Sequence, residues 1–236
     1  MNTVIKECLE ELVLANHILA NETVVDSFGH ISVRNPKNPK SFFLSCSRSP
    51  EIVSLDDIME FNLEGNSVDG SKLRPYGERF IHGAIMEARP DVQSVVHNHS
   101  LSVIPFSVTD TPLQPIIHTG ASIGENIPTW DIHDNFGDTD LLVRNMDQGR
   151  DLAIGLGEAN VVLMRGHGCS VVGSTIKEAT LTAVYLQISA AVQLQAMPLG
   201  KVRYLTPGET EKCTEMFYSD LSVDRAWENL TARVKK

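Results

Sequence analysis

Residues 95–100 have the sequence VVHNHS, and this stretch decides how the rest of the chain is interpreted. Its two β-branched residues are typical of a buried strand, and His97 and His99 follow where that strand ends. Because side chains alternate between the two faces of a strand, both imidazoles lie on one face. The spacing therefore predicts half of a metal site, in which two neutral ring nitrogens converge on one divalent cation. The alternative is a pair of strand histidines with ordinary hydrogen-bond partners.

Two ligands hold zinc or manganese poorly, so this interpretation needs at least one more imidazole or carboxylate. A second apolar run, residues 161–164, leads to His167 between two glycines, which allow close approach of the backbone. Residues 76–89 are predicted to form a helix that Pro90 closes, with Glu78 in its first turn, where the helix dipole favours a carboxylate. His167 and Glu78 are therefore candidates to complete the site.

The composition is that of an ordinary globular protein, with 42% hydrophobic and 21% charged residues, and predicts one domain over residues 1–236 with a single core. A net charge of −10 argues against a nucleic-acid partner, which requires clustered lysine and arginine. The chain lacks both a long apolar run and a basic-then-apolar N-terminus, so we expect a cytoplasmic protein that does not enter a membrane. The cysteines are scattered, and are predicted to be reduced thiols: Cys8, Cys46, Cys169 and Cys213.

Hydrophobic periodicity predicts alternating helices and strands. Helices are expected over residues 4–20, 76–89 and 140–156, and from a cap at Ser174 onward. Strands are expected around residues 29–34, whose polar side carries His30, Ser32 and Arg34, and around 41–45, 58–63, 95–97, 161–164 and 169–172. This order favours an α/β fold with a mixed, mainly antiparallel sheet covered by helices. Residues 107–129 show no clean period and are expected to be a functional loop, in which the role of His118 is open, as is that of Tyr185.

Several of these motifs occur together in the order and spacing of the class II aldolase and adducin family. They are Glu78, residues 89–91 (RPD), 97–99 (HNH) and 165–168 (RGHG), and residues 29–34 (GHISVR) resemble that family's early glycine-rich strand. The resemblance covers nearly the whole chain. It implies a central sheet in α/β/α layers and a homotetramer.

The same resemblance implies one divalent metal ion per subunit, held by His97, His99 and His167. Glu78 would lie beside the ion as a ligand, a proton carrier or both. Zinc or manganese is expected, with cobalt or iron as alternatives.

This sequence departs from the sugar-phosphate aldolases of the family at three places where they grip phosphate with small residues. The residues found there are Gly29 and His30, Ser47 and Arg48, and Tyr76 and Gly77. Because an arginine fork suits a planar carboxylate, Arg48 and His30 are predicted to bind a small-molecule carboxylic acid substrate.

These positions, with residues 45–50 and 136–139, resemble the family branch that decarboxylates hydroxylated aromatic or heteroaromatic acids, such as dihydroxyphthalate and hydroxymethylpyridine-dicarboxylate, or ring-cleavage carboxylic acids. The resemblance implies a carbon–carbon lyase of aromatic compound catabolism, a metal-dependent, non-oxidative decarboxylase that acts through a metal-stabilised enolate.

Other interpretations remain open at this point. One is a metal-dependent aldolase that cleaves a small hydroxy-carbonyl compound or a sugar phosphate. Another is an adducin-like binding module, although the presence of all three histidines and Glu78 argues against it. Arg48 could equally form a surface salt bridge, and His30 could be an ordinary strand histidine.

Overall fold

A seven-stranded sheet forms the centre of the described part of the chain, residues 2–68 and 70–234, in a computed structural model. Met1, Asp69, Lys235 and Lys236 of the predicted domain lie outside the described residues. The strands are β1 (His30–Asn35), β2 (Asn38–Ser45), β3 (Ile58–Asn62), β4 (Ser94–Asn98), β5 (Thr129–Trp130), β6 (Val161–Met164) and β7 (Gly168–Gly173). Their order is β3-β2-β1-β4-β7-β6-β5, and only the β5–β6 pair is parallel among these strands. The mainly antiparallel sheet is confirmed.

Helices cover both faces of this sheet. They are α1 (Thr3–Asn21), α2 (Arg79–Ala88), α3 (Ile104–Ser107), α4 (Ile132–Phe136), α5 (Met146–Leu156), α6 (Ile176–Ala196), α7 (Pro207–Phe217) and α8 (Asp220–Val234). No helix within residues 2–68 and 70–234 combines the length and apolar character needed to cross a membrane.

The interior consists of two apolar clusters, one on each side of the sheet, and not of the single core expected from composition. Neighbouring strand residues point to opposite faces, so Val96 packs with α1 and α6 while Val95 packs with α2 and α5. His97 follows Val95 by two residues and therefore lies on the α2 side. The sheet is thus the middle layer of an α/β/α arrangement.

Three predicted helix starts were wrong, and one of them is that of α2, which begins at Arg79 and not at residue 76. The helix expected from residue 140 begins at Met146, because Leu141 adopts a positive φ of 65° and Asn145 caps the helix by accepting from the Gln148 N–H. The cap of α6 is Thr175, which accepts from the Glu178 N–H, and not Ser174. Sequence alone does not decide between neighbouring capping residues.

Arg34 joins β1 to the end of α2, and its side chain is only 6% exposed. Its guanidinium donates to four main-chain carbonyls at 2.7–3.1 Å, those of Pro39, Met86, Arg89 and Val92. Two of these acceptors lie in the last turn and at the C-cap of α2, where a cation also complements the helix dipole. This residue fixes α2 against the sheet.

We expect Arg34→Met to lower the free energy of unfolding by about 3 kcal/mol or more, because four main-chain carbonyls, those of Met86 and Val92 buried, lose a charged donor. Urea denaturation followed by circular dichroism measures the loss. Arg150→Met is a matched control, since Arg150 forms only exposed ion pairs with Glu64 and Glu87. Equal losses in the two variants would contradict the role given to Arg34.

Candidate metal centre

Three histidines and one glutamate converge at one end of the sheet. His97 is in β4, His99 follows that strand, His167 lies in the turn between β6 and β7, and Glu78 is the N-cap of α2. The Nε2 atom of His99 lies 3.2 Å from that of His97 and 3.1 Å from that of His167. One ligand atom from each of the four residues falls within 4.8 Å of the others. The structure thus brings together all four predicted candidates.

A close contact between β4 and β7 positions His167. The two strands pair antiparallel, with Asn98 opposite Cys169, so the end of β4 meets the turn that carries His167. A Cβ atom at Gly168 would lie 2.1 Å from the Asn98 carbonyl oxygen, and Gly166 has a φ of +66°. Gly168 is therefore required for the close approach of the two strands, and Gly166 for the left-handed turn.

Neighbouring groups fix the protonation of two of the rings. Nδ1 of His99 lies 3.1 Å from both carboxylate oxygens of Asp26, and Nδ1 of His167 lies 2.9 Å from the Leu141 carbonyl oxygen. Both partners are acceptors, so each Nδ1 carries the proton and each Nε2 is a lone-pair donor in the neutral ring. Burial lowers the pKa of His99 and lowers that of His167 to about 4, which keeps the rings neutral at pH 7.

The donor set fits a divalent cation. The unprotonated Nε2 atoms of His99 and His167 are 3.1 Å apart and cannot form a hydrogen bond with each other. A cation bound between them would accept both lone pairs and remove their repulsion. Two nitrogens bound to one zinc ion at about 2.0–2.1 Å are themselves about 2.8–3.4 Å apart at angles of about 90–109°. The observed separations fall in this range.

Glu78 is the N-cap of α2 and not a residue of its first turn, as the sequence had predicted. Its carboxylate accepts from the Val143 N–H at 3.0 Å, and Oε2 lies 3.6 Å from Nε2 of both His97 and His167. Burial alone would raise the pKa of this carboxyl, but the two facing imidazoles and the Val143 N–H outweigh it and lower the pKa to about 2. Glu78 is therefore ionised, and can act as a ligand or a base.

A cavity of about 980 Å³ opens onto this cluster, and His30 lies in its wall. Nδ1 of His30 lies 2.7 Å from Nε2 of His82, whose Nδ1 lies 2.6 Å from the Ser32 hydroxyl. Burial and the neighbouring His82 and His97 rings lower the pKa of His30, so its ring is neutral. The ring also packs on Tyr76, with centroids 4.4 Å apart, and this leaves Nε2 as the polar atom that His30 offers to the cavity.

Arg48 also lies in the cavity wall, where it forms the salt bridge that sequence left open. Its Nη1 is 3.2 Å from the Asp57 carboxylate, and its Nε donates to the Ile52 carbonyl. Asp57 is itself held by Ser54, whose main-chain N–H and hydroxyl both donate to it. Arg48 thus reaches the cavity with its charge already partly neutralised.

Sequence reasoning missed Asp26, His82 and Leu141. His82 follows Glu78 by four residues on one helix face, and this spacing could have revealed it. Asp26 and the Leu141 carbonyl have no local signature, because they meet their histidines across 73 and 26 residues.

Other residues singled out in the sequence lie away from the cluster. Cys169 is fully buried in the apolar cluster beside α6, and its thiol donates to the Asn98 side chain. Tyr185 packs against Phe217 in the same cluster. His118 begins a short 3-10 segment, and no residue of the 107–129 segment is among the described residues that line the cavity.

Comparison with known proteins finds relatives that are named decarboxylases and an aldolase of the same fold. The chain is 37% identical over 196 residues to decarboxylase tropJ of Talaromyces stipitatus. The matched region covers 78% of this chain and 74% of that protein. It is 25% identical over 236 residues to 3,4-dihydroxyphthalate decarboxylase of Arthrobacter keyseri, and this match covers 95% of this chain and 93% of that protein. L-fuculose 1-phosphate aldolase from Glaciozyma antarctica has the same fold, with a TM-score of 0.78 at 23% identity over 97% of this chain and 88% of that one.

The family model for the class II aldolase and adducin N-terminal domain matches residues 10–194, a span that contains the whole sheet and all four clustered side chains. Because the match extends over well more than half of the sequence, the chain belongs to the class II aldolase and adducin family.

Proposed function

We propose that the protein is a metal-dependent, non-oxidative decarboxylase of a hydroxylated aromatic, heteroaromatic or ring-cleavage carboxylic acid. The observation that carries the proposal is the convergence of three imidazole Nε2 atoms and an ionised carboxylate at the wall of a cavity large enough for such an acid. Relatives that are named decarboxylases support it. By analogy with the family, we also propose a cytoplasmic homotetramer with one zinc or manganese ion per subunit.

His97, His99 and His167 would hold the metal ion through Nε2. A divalent cation supplies Lewis acidity, which stabilises the negative charge that develops on a substrate oxygen when carbon dioxide leaves. Asp26 and the Leu141 carbonyl orient two of the imidazoles and keep their Nε2 atoms free of protons.

Glu78 would carry the proton. Its carboxylate takes the proton of the substrate hydroxyl, and returns it to the carbon whose bond to the carboxylate breaks. Protonation of that carbon turns the hydroxyl oxygen into a carbonyl oxygen, which takes up the electron pair when the bond to the carboxylate then breaks. The oxygen regains a proton from solvent. The net change is the loss of carbon dioxide, with hydrogen in place of the carboxylate.

Product analysis distinguishes this function from the aldolase alternative. We expect the metal-loaded protein to release carbon dioxide from at least one member of a panel of ortho-hydroxy aromatic and ring-cleavage acids. Cleavage of a sugar phosphate to dihydroxyacetone phosphate, without carbon dioxide from any acid of the panel, would establish the aldolase instead.

We expect the purified protein to bind about one divalent ion per chain, and His97→Ala, His99→Ala and His167→Ala each to lose most of it. Each substitution removes one donor from a set of at most four. Elemental analysis after reconstitution with zinc or manganese measures the content. His133→Ala is the control, because the side chain of His133 is exposed and its ion-pair partner among the described residues is Asp138. Full metal content in the three cluster variants would exclude the site.

Glu78→Gln should lower turnover by about 10²–10⁴-fold, because the amide keeps the shape of the side chain but cannot carry the proton. Turnover is measured at a known metal occupancy, so that a role of Glu78 as a ligand appears separately. Glu87→Gln on the same helix is the matched control, since Glu87 lies at the surface and pairs with Arg150. Undiminished turnover of Glu78→Gln at full occupancy would remove this residue from the mechanism.

A further inference from the structure

Three arginines lie in the wall of the cavity, and two of them have acidic partners. Arg48 pairs with Asp57 at 3.2 Å, and Nε of Arg144 donates to Asp140 at 2.7 Å. Within residues 2–68 and 70–234, the guanidinium of Arg74 has neither a hydrogen bond nor an ion pair. Arg74 is therefore the cavity arginine whose charge is uncompensated in the described structure.

The backbone holds Arg74 at this wall. Its carbonyl accepts from the Ser47 N–H at 2.7 Å, and the next residue, Pro75, forms an antiparallel bridge with Cys46. Tyr76 then donates its hydroxyl to the Arg48 carbonyl. The segment that carries Arg74 is thus pinned to the loop that carries Arg48, and its guanidinium is presented from a fixed backbone.

The acidic groups of the cavity do not compensate this charge. Asp26 contacts His99, Asp140 contacts Arg144, and Glu78 faces the imidazoles that would hold the cation. A guanidinium binds a carboxylate through two parallel hydrogen bonds, and the interaction strengthens where a bound molecule displaces water. Arg74 is not one of the four clustered residues, so a group bound to it is distinct from the group that reacts at the cluster.

We propose that Arg74 is a specificity-determining residue that binds a second carboxylate of the substrate, remote from the reacting group. The preferred substrate is then a dicarboxylic acid, one carboxylate of which is retained in the product. This inference rests on the proposed function only in taking the substrate to be an organic acid.

Equilibrium binding of two unreactive probes tests the proposal without any turnover. Isothermal titration calorimetry of the metal-reconstituted protein with phthalate and with benzoate gives the preference for a second carboxylate as a ratio of Kd values. We expect the wild type to bind phthalate more tightly. Arg74→Gln should weaken phthalate binding by about tenfold or more, the effect of one hydrogen bond between charged groups, and should change benzoate binding little.

Two variants serve as controls. Arg225→Gln removes the same charge from an exposed position of α8 that does not line the cavity, and should leave both Kd values unchanged. Arg48→Gln removes an arginine that already has a carboxylate partner, and should change the phthalate-to-benzoate ratio less than Arg74→Gln does.

Three results would overturn the assignment: no preference for phthalate in the wild type, an unchanged preference in Arg74→Gln, or an equal loss for both probes. Failure of the decarboxylase proposal is recognised separately, because it abolishes carbon dioxide release and leaves the binding preference in place.

Discussion

The contact between Gly168 and the Asn98 carbonyl is the constraint on which the site depends. A side chain at Gly168 would place its Cβ 2.1 Å from that oxygen, so only glycine lets the start of β7 approach the end of β4 this closely. The approach brings the turn that carries His167 over the strand that carries His97. The convergence of the histidines is therefore a consequence of strand pairing, and they need no flexible loop to meet.

Burial and hydrogen bonding then set the charges of His99, His167 and Glu78. Low exposure disfavours charged imidazoles, and the acceptors on Nδ1 of His99 and His167 decide which nitrogen is free to bind a cation. The same surroundings keep Glu78 ionised, because its carboxylate accepts a main-chain N–H and faces His167, whose ring takes up a proton at a higher pH than the carboxylate does. The result is a set of neutral and negative donors in a partly dry site, which is the environment that a divalent cation requires.

Arginine serves three physical purposes in this one chain. Arg34 is buried and satisfies the carbonyls at the end of α2, so its charge stabilises the fold. Arg48 lies at the cavity wall but is held by Asp57. Arg74 has no partner among the described residues, so its charge is available to a ligand. These differences arise from the neighbours of each guanidinium and cannot be recognised from the residue type.

The sequence by itself determined the local features of this protein. Alternation placed Val95 and His97 on one face of β4, glycines marked the turn around His167, and motif spacing identified the family and the four clustered side chains. Each of these depends on residues close together in the chain or on a fixed order of motifs. The tertiary structure alone decided that Asp26 and the Leu141 carbonyl orient the histidines, that Glu78 caps α2, and that Arg48 is paired. Such contacts join segments far apart in the chain, and because any carbonyl or carboxylate could have supplied them, they leave no periodic or compositional trace in the sequence.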